Sequence, residues 1–209
     1  MTLGAVIFDY GMVLTDGQNP REHAELMRLT GLNRDQFEPL YWARRQEYDL
    51  GWLTGLDFWR DLLHRAGIAS NPALTEKLNL VDARMWTTVN PAMLNWQAAI
   101  KQRGLKTAIL SNMGDNVLEN MRRTFDWLPR FDVLVWSYEL HLAKPDPAIY
   151  RYTLDKLGLE AGQALFIDDR EENTTAANAL GMQTLFFSTV ERLRQQIVEA
   201  GLSGELPLP

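Results

Sequence analysis

Five short apolar runs, each ending at a polar or charged residue, constrain this chain more than any other feature. They are residues 4–8 (GAVIF), 106–110 (KTAIL), 132–136 (DVLVW), 164–167 (ALFI) and 183–187 (QTLFF). A strand with one wet face alternates apolar and polar residues. Runs without alternation suit strands covered on both faces, as in a parallel sheet between helix layers. From residue 91 onward, helical and strand patterns alternate regularly. That alternation predicts an open α/β fold with a parallel sheet and helices on both of its faces.

Helix boundaries are marked by side chains. Asn33 with Gln36 has the form of a capping box, and Thr54 with Asp57 resembles one. Asn71-Pro72, Asn90-Pro91 and Asp146-Pro147 each set a capping side chain before a proline at the first helical position. Ser188 with Glu191 is expected to open the last helix, and Gly31, Gly67, Gly158 and Gly201 stand where helices should stop. About nine helices are expected from these signals.

The interval between the first two strands is the irregular part. Residues 16–88 carry helical patterns and no strand, far more chain than one crossover helix needs. The expected organisation is an α/β core of residues 1–15 and 89–209, with residues 16–88 inserted as a small helical-bundle cap. The insert holds Trp42, Trp52, Trp59 and Trp86 of the chain's seven tryptophans, mostly expected in its core. The terminal Gly-Glu-Leu-Pro-Leu-Pro reads as a loose tail.

Composition excludes several function classes. With 21 basic and 27 acidic side chains the formal net charge is -6, so there is no basic field for nucleic acid. Cysteine is absent, which removes disulfides, thiolate catalysis and cysteine metal sites. No apolar run reaches the roughly 18 residues that span a bilayer, so no membrane partner is expected. The opening MTLGAVIFDYG lacks the charged start of a signal peptide, and a cytoplasmic location is expected.

In open α/β sheets, ligands collect beyond the carboxyl ends of the strands. That edge would carry Asp9 after the first strand, Ser111 and Asn112 after the second, Lys144 beyond the third, and Asp168 with Asp169 after the fourth. Singly, each could be a helix cap or a turn. Jointly, they mark one site. Clustered carboxylates repel one another unless a cation neutralises them, and an oxygen-rich site with an open position suits Mg²⁺. The serine, lysine and amides can hold phosphate oxygens. His23, His64 and His141 are scattered, without metal-ligand spacing.

In order and spacing these motifs resemble the haloacid dehalogenase superfamily, and within it the phosphatase-like members whose helical cap follows the first motif. The residues that carry the resemblance are VIFDYGMVL with Asp9, TAILSN with Ser111, AKPDPAIY with Lys144, and LFIDDREEN with Asp168, Asp169 and Asn173. The resemblance implies a Rossmann-like core and phosphoryl transfer through an aspartyl-phosphate on Asp9. It implies Mg²⁺ held by Asp9, the Gly11 carbonyl and Asp169, with Asp168 behind them. Ser111 and the amide of Asn112 would hold phosphate oxygens, and Lys144 would balance charge on Asp9 and the phosphoryl group. In relatives the cap turn matching Gly51-Trp52-Leu53-Thr54 reaches the substrate, which nominates Trp52 and Thr54, with Arg45 nearby. The implied activity is Mg²⁺-dependent hydrolysis of a small phosphorylated metabolite, of sugar-phosphate type.

One position departs from that pattern. Phosphatases of the superfamily usually carry a second aspartate two residues after the nucleophile, as acid and then base; here that residue is Gly11. Such a group typically contributes ~10²–10⁴-fold, so turnover should depend steeply on leaving-group pKa. The alternative is a catalytically weak phosphate-ligand-binding or regulatory protein. A phosphomutase needs the missing group even more. Dehalogenases of the superfamily place tyrosine where Gly11 stands, and the tyrosine here is Tyr10, one residue early.

Overall fold

A computed structural model describes residues 2–209. Five parallel strands form one sheet: β1 (Ala5–Phe8), β2 (Lys106–Ser111), β3 (Val133–Trp136), β4 (Ala164–Asp168) and β5 (Gln183–Phe186). Their spatial order is β3-β2-β1-β4-β5, with β1 central, as expected of an open α/β sheet. Strand pleating sends Val6, Phe8 and Ile109 to one face and Ala5, Ile7, Ala108 and Leu110 to the other. Helices α6 (Pro91–Gln102), α7 (Asp115–Thr124) and α11 (Val190–Glu199) cover the first face. Helices α9 (Pro147–Leu157) and α10 (Glu171–Ala179) cover the second. Both faces are dry, which is why the strands read as unbroken apolar runs.

Between β1 and β2 lie α1 (Pro20–Thr30), α2 (Arg34–Ala43), α3 (Arg45–Asp49), α4 (Gly55–Arg65) and α5 (Pro72–Met85). Phe37, Tyr41, Tyr48, Phe58, Trp59 and Leu62 build a separate aromatic core for them. The chain leaves and returns through one neck: Thr15 pairs antiparallel with Val89, and the Asp16 N–H donates to Thr88 O at 2.8 Å. With the short α8 (Ser137–Leu140), eleven α-helices form among the described residues, two more than expected. The extra ones are the very short α3 and α8, which lack a capping side chain to announce them.

Most expected caps form. Asn33 and Gln36 make the full box, and Thr54, Asn71, Asn90 and Asp146 each accept a backbone N–H. Two expectations fail. Thr189, not Ser188, caps the last helix, by accepting the Arg192 N–H. Nor is the C-terminus loose: Leu206 is buried, Glu205 accepts the Leu3 N–H, and Pro207 O accepts the Trp96 indole N–H at 2.7 Å.

Candidate active site

Parallel pairing brings the carboxyl ends of β1, β2 and β4 side by side, and the polar residues that follow them converge. Asp9 is fixed at the end of β1 by donating its N–H to Ile167 O at 2.9 Å. The loop beyond α8 delivers Lys144, whose N–H donates to Asn112 Oδ1 while Asn112 Nδ2 donates back to Lys144 O, both at 2.9 Å. The Asn112 side chain is therefore committed to placing the lysine, and only its backbone amide is left for an anion. Lys144 Nζ then sits 2.9 Å from Asp9 Oδ1 and 2.6 Å from Asp168 Oδ2, fully buried. Asp168 also accepts from Asn173 Nδ2 and from the Arg170 N–H.

Asp9, Asp168 and Asp169 each bring an oxygen within 4.8 Å of the others. Three carboxylates thus share one ammonium. Burial pushes the Asp9 carboxyl up to about 7, against the pull of Lys144 and with repulsion from Asp168 and Asp169. Burial and then Asp168 raise Asp169 as well. Lys144 is held above its usual range, because Asp9 and Asp168 together outweigh the opposing cost of its burial. Asp9 Oδ1 also takes the Tyr10 N–H, while Oδ2 has no protein partner among the described residues. An excess of buried negative charge, offered entirely by hard oxygens, fits a divalent cation of the Mg²⁺ kind.

The cluster opens into a cleft of about 930 Å³ between the sheet edge and the helical insert. Ser111, Asn112 and Lys144 line its floor; Trp42, Arg45, Asp49 and Trp86 line the insert side. Arg45 is buried, pairs with Asp49 at 2.9 Å, bonds the Tyr41 hydroxyl and lies against the Tyr48 and Trp86 rings. Arg45, nominated as a substrate contact beside the cap turn, thus lines the cleft and organises its wall. Trp52 and Thr54 are not part of the cleft. Trp52 is 66% exposed, and Thr54 is engaged in capping α4. Gly51 turns the chain away at φ +74°, where an added Cβ would come within 2.6 Å of Tyr138 O. The turn therefore presses on α8 rather than reaching into the cleft.

Gly11 has an ordinary φ of −63°, and an added Cβ would meet no atom within 4 Å. The left-handed residue in this turn is Met12, at φ +62°. Tyr10 is buried and donates its hydroxyl to Trp86 O at 2.6 Å, so its phenol serves the neck of the insert. Asp49 also lines the cleft, although no motif in the sequence singles it out. The one signal for Asp49 is its four-residue spacing from Arg45 on a helix. Among the described residues, no helix is long and apolar enough to cross a membrane.

Comparison with known proteins agrees with this geometry. A phosphatase from Mycobacterium tuberculosis is 26% identical over 95% of this chain and 93% of its own length. The (S)-2-haloacid dehalogenase 1 of a Pseudomonas species is 25% identical over 90% and 86%. Bifunctional epoxide hydrolase 2 of Rattus norvegicus is 30% identical over 58% of this chain, a match spanning only 23% of that larger protein. A haloacid dehalogenase family enzyme from Bacteroides thetaiotaomicron, solved with magnesium and inorganic phosphate, superposes with a TM-score of 0.71 at 20% identity, covering 89% and 94% of the two chains. The pattern of the haloacid dehalogenase-like hydrolases matches residues 3–181, and the chain belongs to that family.

Proposed function

We propose that the protein is a Mg²⁺-dependent phosphomonoester hydrolase of small phosphorylated metabolites, of sugar-phosphate type, acting through an aspartyl-phosphate on Asp9. The observation that carries this reading is the buried cluster of Asp9, Lys144, Asp168 and Asp169 opening on a cleft floored by Ser111. Asp9, the Gly11 carbonyl and Asp169 would hold the cation, which when bound supplies positive charge against the phosphoryl oxygens. Asp168 is saturated by Lys144, Asn173 and Arg170, so its work is to aim the lysine.

The steps follow from this chain's own groups. Asp9 attacks phosphorus as its carboxylate, the form that the adjacent Lys144 favours against the cost of burial. Ser111 and the Asn112 backbone amide hold the phosphoryl oxygens where negative charge gathers. Residues 16–88 act as the cap, with Trp42, Arg45 and Trp86 excluding water. The phosphatase among the relatives, and the solved family enzyme holding magnesium and phosphate, support the same reading.

Haloacid cleavage fits less well, because Tyr10 is turned into the neck and the clustered carboxylates favour a bound cation. A binding or regulatory protein is the second reading, favoured by Gly11 alone. Screening phosphorylated metabolites for phosphate release with and without Mg²⁺ tests the proposal. Release that requires Mg²⁺ supports it; tight phosphate-ligand binding with no release at any Mg²⁺ concentration supports the alternative.

A further inference from the structure

If Gly11 supplies no proton, the cleft should hold a group that can, and its titratable side chains can be eliminated in turn. Asp9 is the nucleophile and Asp169 belongs to the metal cluster. Glu172 is exposed and paired with Arg170 at 2.5 Å. The Tyr10 hydroxyl is committed to Trp86 O, and Lys144 to Asp9 and Asp168. Asp49 remains.

Its placement is specific. Asp49 ends α3, and its carbonyl accepts a hydrogen bond from Ser137 Oγ at 2.5 Å. The same Ser137 Oγ accepts the Met113 N–H at 3.0 Å. One hydroxyl therefore ties Asp49 to Met113, in the loop that follows Ser111 and carries Asn112. Asp49 Oδ1 takes Arg45 Nε, while Oδ2 has no protein partner among the described residues; 16% of the side chain stays open, and the residue lines the cleft. The charged and titratable groups around it are Arg45 and Tyr48 of α3, Asp82 of α5, and Arg170 from the core side. Burial pushes its carboxyl above the ordinary range against the pull of Arg45, which favours carriage of a proton.

We propose that Asp49, on the opposite wall of the cleft, is the general acid and base that Gly11 does not provide. This rests on the phosphatase reading. In the first step an Asp9 oxygen bonds to phosphorus, the phosphorus–ester oxygen bond breaks, and the Asp49 proton goes to the departing alkoxide, releasing the alcohol. In the second, Asp49 takes a proton from water as its oxygen bonds to phosphorus. The Asp9–phosphorus bond then breaks, and phosphate leaves with both carboxyls restored. Chemistry would then require the insert to be docked, because the acid arrives with it.

The test is log kcat/KM against leaving-group pKa for aryl and alkyl phosphates with Mg²⁺. The unaltered enzyme should give a shallow slope, where Gly11 alone predicts a steep one. Asp49→Asn should steepen it, with alkyl esters losing ~10²-fold or more and p-nitrophenyl phosphate at least ~10-fold less than they do. Because position 11 has room for a side chain, Gly11→Asp added to Asp49→Asn should flatten the slope again. A purely structural role for Asp49 would lower all esters alike, and that result overturns the proposal. A steep slope in the unaltered enzyme overturns it even if Asp49→Asn fails to fold. Unchanged slope in a folded Asp49→Asn overturns the role of Asp49 alone, whereas no release by the unaltered enzyme from any ester overturns the phosphatase reading with it.

Discussion

The floor and the wall of the cleft are built by different physics. On the floor, Asp9, Ser111 and Asp168 hold their places because each ends or directly follows a strand whose register is set by a hydrogen-bonded parallel ladder. On the wall, Arg45 and Asp49 hold theirs through a buried side-chain network. Tyr41 donates to Asp82 at 2.8 Å, Asn116 Nδ2 donates to Asn79 O at 2.9 Å, and Tyr48 reaches Asn116 across the interface. A ladder places side chains by backbone alone, so motif residues can be read directly. A network places them only when every partner is present.

That contrast can be broken first on the floor. Asp168→Ala would take one of the two carboxylate partners from Lys144 and leave the buried Asn173 amide without its acceptor, and should cost about 3 kcal/mol of stability, read from urea unfolding. Asp169→Ala should cost far less, since this side chain is only half-buried, but should raise the Mg²⁺ concentration needed for phosphate release. Equal behaviour of the two variants in both assays would mean that their inner and outer roles are misassigned.

The next effect is on the wall. Gly51→Ala should lose at least about 1–2 kcal/mol, because a left-handed φ and the close Tyr138 carbonyl both resist a Cβ. Since Gly51 follows Asp49 by two residues, kcat/KM should fall along with the urea midpoint. A stable variant of full activity would show that the turn does not help to position α3.

The smallest effects sharpen the boundary of the cleft. Thr54→Ala removes a helix cap and should cost about 1 kcal/mol. Trp52→Ala, at an exposed position, should stay within about 0.5 kcal/mol and leave kcat/KM unchanged. A tenfold rise in KM for Trp52→Ala would put the turn back at the substrate.

These differences also explain what was legible in the sequence. The apolar runs mark the sheet to within a residue at each end, and the polar residues just past them mark Asp9, Ser111, Asp168 and Asp169 as neighbours at one edge, because parallel strands bury both faces and deliver their ends together; Lys144, eight residues past β3, is legible only through its Lys-Pro motif. Asn112 was visible, but the commitment of its side chain to Lys144 depends on a contact 32 residues away. On the wall, Arg44 and Arg45 look alike in sequence, yet Arg44 pairs at a half-exposed surface with Glu47 and Asp61 while Arg45 is buried among aromatic rings. Helical periodicity does not distinguish two adjacent arginines when the burying face is set by a five-residue helix. The ordered C-terminus is illegible for a related reason: Leu206 is buried in the core cluster, and its neighbours Glu205 and Pro207 bond Leu3 and Trp96, far away in the chain.

The most direct test of phosphoryl transfer through Asp9 is phosphate release, with Mg²⁺ at saturation, by the unaltered chain and by Asp9→Asn side by side. The amide matches the carboxylate in shape but cannot form the acyl-phosphate. Release by Asp9→Asn should fall by at least ~10³-fold while its melting temperature holds or rises, since a buried and repelled charge has been removed. Retention of a substantial fraction of the rate by a folded Asp9→Asn, with contaminating phosphatase excluded, would contradict the assignment of Asp9 as nucleophile.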